Sequence, residues 1–170
     1  VRPRAARWGG GALRWPPDKT RVVSCRDGKR RGGFKATEVT FLGFTFRARA
    51  ARDRHGGNFT SFLPAISKEA LSRISAQVRS WRLHRRIGQE FTDLARWMNP
   101  IVRGWIQYYG AFYKSALYSP LLRINAYLMR WIRKKYKRLR AFTKALACWQ
   151  GITTRYPRMF AQWVVTRAVW

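Results

Sequence analysis

The hydrophobic positions change period at Pro64. Upstream, apolar residues alternate or run together; downstream, they recur every three to four residues. Val39-Thr40-Phe41-Leu42-Gly43-Phe44-Thr45-Phe46 reads as one strand. Val39, Phe41 and either Gly43 or Thr45 fall on one face, and Leu42, Phe44 and Phe46 on the other. Both faces are partly apolar, which predicts a strand covered on both sides. Arg21-Val22-Val23-Ser24-Cys25 is a shorter β-prone run, followed by the Asp27-Gly28 turn signal and a basic loop. Phe59 to Leu63 reads as a further short strand ended by Pro64. Gly9-Gly10-Gly11 and Pro16-Pro17 break any element nearer the start.

After Pro64 the spacing predicts helices. Leu71, Ile74, Val78 and Trp81 share one face of a helix over 67–82, with Ser67 as N-cap and Glu69 in the first turn. A second helix over 90–98 carries Phe91, Leu94, Ala95 and Met98 inward, and Pro100 ends it and starts a third over 100–113. That third helix is apolar over a wide arc, which predicts the buried centre of a bundle. Gly104 and Gly110 cost helix stability and predict a close backbone approach. Pro120 opens a fourth helix to 140, with Leu121, Ile124, Leu128, Trp131, Ile132 and Leu139 on its apolar back. Arg123, Arg130, Lys134 and Lys137 form its cationic front. Lys135 falls toward the apolar side and has to snorkel. A fifth helix over 141–150 and a last short one from Tyr156-Pro157 complete the chain. The fold class is therefore mainly α, a helical bundle preceded by a short β-hairpin.

Charge sharpens this picture. The 170 residues carry 36 Lys+Arg against 7 Asp+Glu, a formal charge of +29. Hydrophobic residues are 46% and aromatics 15%, enough to bury a core, so the chain is not a disordered basic tail. So large a field calls for a polyanion: phosphate backbones, anionic membranes or acidic substrates. Cys25 and Cys148 form no CxxC pair, so a reducing compartment is the default. No apolar run approaches the roughly 18 residues of a membrane span, and no secretory signal is present. The chain opens with Val1 and its first methionine is Met98, which points to a fragment of a longer protein.

The chemistry of most enzymes is hard to find. The acids are Asp18, Asp27, Glu38, Asp53, Glu69, Glu90 and Asp93, with none beyond. They form no DxD and no adjacent Asp pair, as two-metal phosphoryl transfer would require. His55 and His84 have no Cys partners at zinc spacing, and no HExxH or phosphate loop occurs.

The basic residues are clustered instead. Arg130-x-x-Arg133-Lys134-Lys135-x-Lys137-Arg138-x-Arg140 is the densest run, and 26–35, 47–54 and Arg82-Leu83-His84-Arg85-Arg86 add three more. One such run is commonly a solvated face. Four without balancing acids favour phosphate binding, with Arg82, Arg85, Arg86, Arg103, Arg123, Arg130, Arg133, Lys134, Lys137 and Arg138 as the candidate contacts. Tyr108, Tyr109 and Tyr113 read as core rather than as base-stacking platforms.

Two segments carry a resemblance. Pro17-Asp18-Lys19-Thr20-Arg21-Val22-Val23 followed by Phe41-Leu42-Gly43-Phe44-Thr45-Phe46 resembles the end of the palm in group II intron reverse transcriptases. Pro64 to Tyr113, with Leu94-Ala95 and Asn99-Pro100-x-x-Arg103-Gly104-Trp105-x-x-Tyr108-Tyr109, is similar to the intron maturase-specific domain, domain X or thumb. The tail Arg133-Lys134-Lys135-Tyr136 and Pro157-x-x-Phe160-Ala161-x-Trp163 is similar as well.

The resemblance implies a division into a palm end at 1–63, a thumb-like bundle at 64–140 and a nucleic-acid-binding extension at 141–170. It implies that Phe41, Leu42, Gly43 and Phe44 match the block near the primer grip. Trp105 would be structural and Arg103 would face RNA. The implied function is a maturase that stabilises folded group II intron RNA for splicing. The implied partners are that RNA, target DNA and an upstream palm segment, with no membrane. The implied compartment is the bacterial cytoplasm or an organelle.

The family's Tyr-x-Asp-Asp motif is absent, and so is an HNH nuclease. Mg2+ is therefore expected only with a palm that this chain lacks, and no cofactor in the chain itself. The alternative is the thumb of an active RNA-directed DNA polymerase whose palm lies upstream or on another chain. A membrane-active cationic protein is a third class, disfavoured by the buried bundle.

Overall fold

The computed structural model describes residues 23–24 and 36–166. The predicted strand at 21–25 and the basic loop at 26–35 lie almost wholly outside the described residues. Strand β1 (Glu38–Phe41) turns through Leu42-Gly43 into β2 (Phe44–Arg52), and β2 pairs antiparallel with β3 (Asn58–Ile66). The sheet order is β1-β2-β3.

The segment 39–46 is thus a hairpin and not one strand. Leu42 has φ 49° and Gly43 φ 79°, the doubly positive pattern of a tight two-residue hairpin turn. The turn resets the alternation, so Val39 pairs with Phe46 and Phe41 with Phe44. All four apolar side chains then share one face, together with Phe62 and Pro64. The apparent two-sided apolarity of the segment came from counting straight through the turn. Pro64 lies within β3 and does not end it, because an edge strand tolerates a residue without an N–H.

Helix α1 (Lys68–Ser80) begins as expected, with Ser67 Oγ accepting from the Ala70 N–H at 3.1 Å. Helix α2 (Phe91–Tyr109) is one continuous rod where two helices were expected. Pro100 sits inside it, exposed, at the loss of one backbone hydrogen bond. Glu90 and Asp93 close a reciprocal capping box at its start. Helix α3 (Tyr118–Lys135) ends before 140, and a 3-10 turn at Lys137–Leu139 follows. Helix α4 (Phe142–Arg155) runs through Gly151, and α5 (Ala161–Thr166) starts later than expected.

The centre of the bundle is α3, not the 100–113 stretch. Leu121, Ile124, Leu128, Met129, Trp131 and Ile132 of α3 are almost fully buried. In α2 burial is concentrated at Leu94, Ala95, Met98 and Val102, and the later Tyr108 is exposed. No described residue lies against Gly104, so no described backbone approaches it closely. At Gly110 an added Cβ would collide with the Ile106 carbonyl of its own helix, a local requirement at the C-cap.

One core continues across residue 140. Trp149 of α4 and Trp163 of α5 pack edge to face at 5.1 Å, and Phe160 meets both Trp163 and Phe91 at 4.9 Å. Asn99 closes this end: its Nδ2 donates to the Met159 carbonyl and its Oδ1 accepts from the Ala161 N–H, each at 2.8 Å.

Candidate nucleic-acid interface

Between 68 and 166 the chain has 20 Lys and Arg and 3 Asp and Glu, so the helical part cannot neutralise itself. Packing then decides which cations are free. Trp131 Nε1 donates to the Arg86 carbonyl at 2.9 Å, and Leu83 is buried. The 82–89 segment is therefore held against the C-terminal half of α3. Arg133 Nε donates to the Arg140 carbonyl at 2.9 Å, which folds the following 3-10 turn back toward the same end.

This assembles Arg82, Arg85, Arg130, Arg133, Lys134, Lys137 and Arg138 at one end of the bundle, all exposed. Arg140, which belongs to the same basic run but is not among the expected contacts, joins them and is exposed. Arg133 and Lys134 also stand in the last turn of α3, where the helix dipole favours cations. By the 100° per residue of a helix, Arg123, Arg130 and Lys134 fall in a stripe about 40° wide. Arg130 lies 5.6 Å from the centre of the Tyr127 ring.

Three cations are placed differently. Arg86 is half-buried, its Nε donating to the Trp81 carbonyl at 3.1 Å and its guanidinium 4.5 Å above Trp97. Trp97 in turn meets Trp81 at 5.3 Å, and Trp81 stacks on Trp105 at 5.6 Å and 7°. Arg86 thus closes a tryptophan stack through which Trp105 contributes to packing. Lys135 is half-buried toward the core side, and its Nζ lies 2.5 Å from the Gln89 carbonyl and 2.7 Å from Glu90 Oε1. Arg103 is exposed on α2, away from the α3 cluster in sequence and without a contact that joins it there.

Arg123 belongs to a second place. A cleft of about 280 Å³ separates α1 from the start of α3, lined by Ser72, Ser75, Arg79, Ser119 and Arg123 over Leu71 and Pro120. A cleft of about 300 Å³ on the polar face of the sheet mixes Arg47, Arg49 and Lys68 with Glu38 and Glu69 and has no single sign of charge. Burial, with the nearby Arg47 second, lowers the Arg49 pKa; Tyr113 and Glu38 act against this.

The block Phe41-Leu42-Gly43-Phe44 is the hairpin tip. Tyr108 donates its hydroxyl to the Leu42 carbonyl at 2.9 Å, and Phe44 packs on Tyr108, Tyr109 and Phe112 with ring centres 5.2–5.6 Å apart. Phe41, Leu42 and Phe112 stay 63%, 67% and 63% exposed. Among the described residues, no three His, Cys, Asp or Glu gather to hold a metal. No described helix is long and apolar enough to cross a membrane.

In comparison with known proteins, residues 71–149 match the family model described as group II intron, maturase-specific domain. No curated protein and no solved structure matches the chain.

Proposed function

We propose, on the premise that residues 71–149 are a group II intron maturase-specific domain, that this chain binds folded group II intron RNA and stabilises it for splicing. The observation that carries the reading is the assembly of Arg82, Arg85, Arg130, Arg133, Lys134, Lys137 and Arg138 at one end of the bundle, with no acid after Asp93. Such a surface neutralises phosphates and positions an RNA without reading its sequence. The chain supplies no reactive group: it lowers the free energy of the folded RNA, whose own chemistry splices. Target DNA presents the same phosphates and can share the surface. Mg2+ would act in the RNA or in a palm elsewhere. The test is intron splicing at low magnesium with and without the full chain. Added chain is expected to raise the fraction spliced; an unchanged fraction overturns the reading.

A second reading is favoured by the exposed Phe41, Leu42 and Phe112 at the hairpin tip. An apolar patch of this kind suits a palm segment, which would make the chain the thumb of an RNA-directed DNA polymerase. Primer extension by a separate palm carrying Tyr-x-Asp-Asp, stimulated by this chain and lost with Phe112→Ser, is its test.

A further inference from the structure

We infer that the cleft between α1 and α3 is a binding site for a single phosphate group, supplied by the backbone of the bound RNA. The inference adds residues that the basic end does not use, and its RNA source rests on the function proposed above. The cleft is lined by two guanidinium groups and three hydroxyls, and no carboxylate of a described residue borders it. Ser72 and Ser75 lie on α1 three residues apart, so both point to one side of the helix. Arg79 follows one turn after Ser75, and its Nε donates to the Ser75 carbonyl at 3.3 Å. That bond holds the stem of Arg79 along α1 and leaves its terminal nitrogens for a ligand. From α3, Ser119 and Arg123 stand one turn apart on the opposite wall.

No hydrogen bond or ion pair to a described residue engages the side chains of Ser72, Ser75, Ser119 or Arg123. Free hydroxyls and paired guanidinium groups around a small polar hollow are the donors a phosphate oxygen set requires. Leu71 and Pro120 supply the apolar part of the lining. A sugar or neutral ligand would find donors without the matching charge pattern. An acidic protein side chain would leave most of the donors unused.

The site is tested on the full chain by amide chemical shifts during titration with inorganic phosphate. Shifts are expected at Ser72, Ser75 and Ser119, absent in Arg123→Gln. No shift at those amides overturns the site whether or not the chain binds RNA. The RNA source is read separately, with a folded group II intron RNA carrying or lacking a 5′-phosphate. Arg123→Gln is expected to weaken binding about tenfold and to reduce the log-log salt slope by about 1 for both RNAs. The triple change S72A, S75A and S119A is expected to weaken binding severalfold with the slope unchanged. A loss confined to the 5′-phosphorylated RNA assigns the phosphate to the terminus. RNA that binds wild type and Arg123→Gln equally tightly with equal slopes overturns the backbone source.

Discussion

Lys135 Nζ lies 2.7 Å from Glu90 Oε1, so the half-buried lysine of the 130–140 run has a carboxylate partner. Its side chain is only 14% exposed, and it also donates to the Gln89 carbonyl and lies 5.0 Å from the Trp131 ring centre. Lys135 therefore ties the start of α2 to the end of α3, while its neighbours face solvent. Lys135→Gln is expected to cost about 1–3 kcal/mol in urea unfolding, through lost charge-assisted hydrogen bonds. Lys134→Gln is expected to change stability by less than about 0.5 kcal/mol. RNA titrations should show the reverse order, with only Lys134→Gln reducing the salt slope.

Leu42 sits in the left-handed region at φ 49°, a conformation that costs a non-glycine residue about 1–2 kcal/mol. Its side chain is exposed, so little burial repays that cost. Leu42→Asn is expected to stabilise the chain by about 1 kcal/mol, since Asn tolerates this region. The change should raise the melting temperature while the Leu42 position keeps its carbonyl bond from Tyr108.

Asn99 joins α2 to the segment before α5 by two bonds of opposite sense. Asn99→Asp keeps the acceptor for Ala161 N–H but turns the donor to Met159 into a carboxylate oxygen facing a carbonyl. A loss of about 2–3 kcal/mol is expected in chemical unfolding. RNA affinity of the remaining folded fraction should not change, because Asn99 faces the core and not the basic end.

The Glu69 carboxyl is held below the ordinary Glu range by hydrogen bonds from its own backbone N–H and the Ser67 hydroxyl, with Lys68 and Arg73 adding to this. Its folded-state value is depressed, so its contribution is present above the ordinary Glu range. It is lost as pH falls through the folded value. Glu69→Gln is expected to lower the melting temperature at neutral pH. The gap to wild type should close in acid below the Glu range.

The helical half was largely readable because its signals are local. Ser67 caps α1 where expected, and the 3.6-residue pattern of α3 marked its buried back from Leu121 to Ile132. Readings failed where a distant partner overrides a local rule. Pro100 usually ends a helix, yet α2 is anchored on both sides of it by Leu94, Met98 and Val102 in the core and by Asn99 across 60 residues. Leu42 gave no turn signal, because leucine is a poor candidate for positive φ. Its conformation depends on Gly43 beside it and Tyr108 behind it.

The basic end was legible as composition and not as geometry. Charge counting gave Arg86 the same standing as Arg85, and the helical period set Lys135 apart from Lys134 without naming its partners. The Trp97 ring and the Glu90 carboxylate are what hold Arg86 and Lys135. The cleft was not legible, since serines carry no charge signal and its walls lie 40 or more residues apart in sequence.

The central claim is that free cations at the end of α3 meet RNA phosphates, and its most direct test is the salt dependence of binding to a folded group II intron RNA. For contact with about 6 phosphates, the wild-type chain is expected to give a log-log slope near −4 to −5. Replacing Arg130, Arg133, Lys134, Lys137 and Arg138 together by Gln is expected to make that slope shallower by about 3 to 4. A shallow slope for the wild type, or one that survives the five replacements unchanged, contradicts the account.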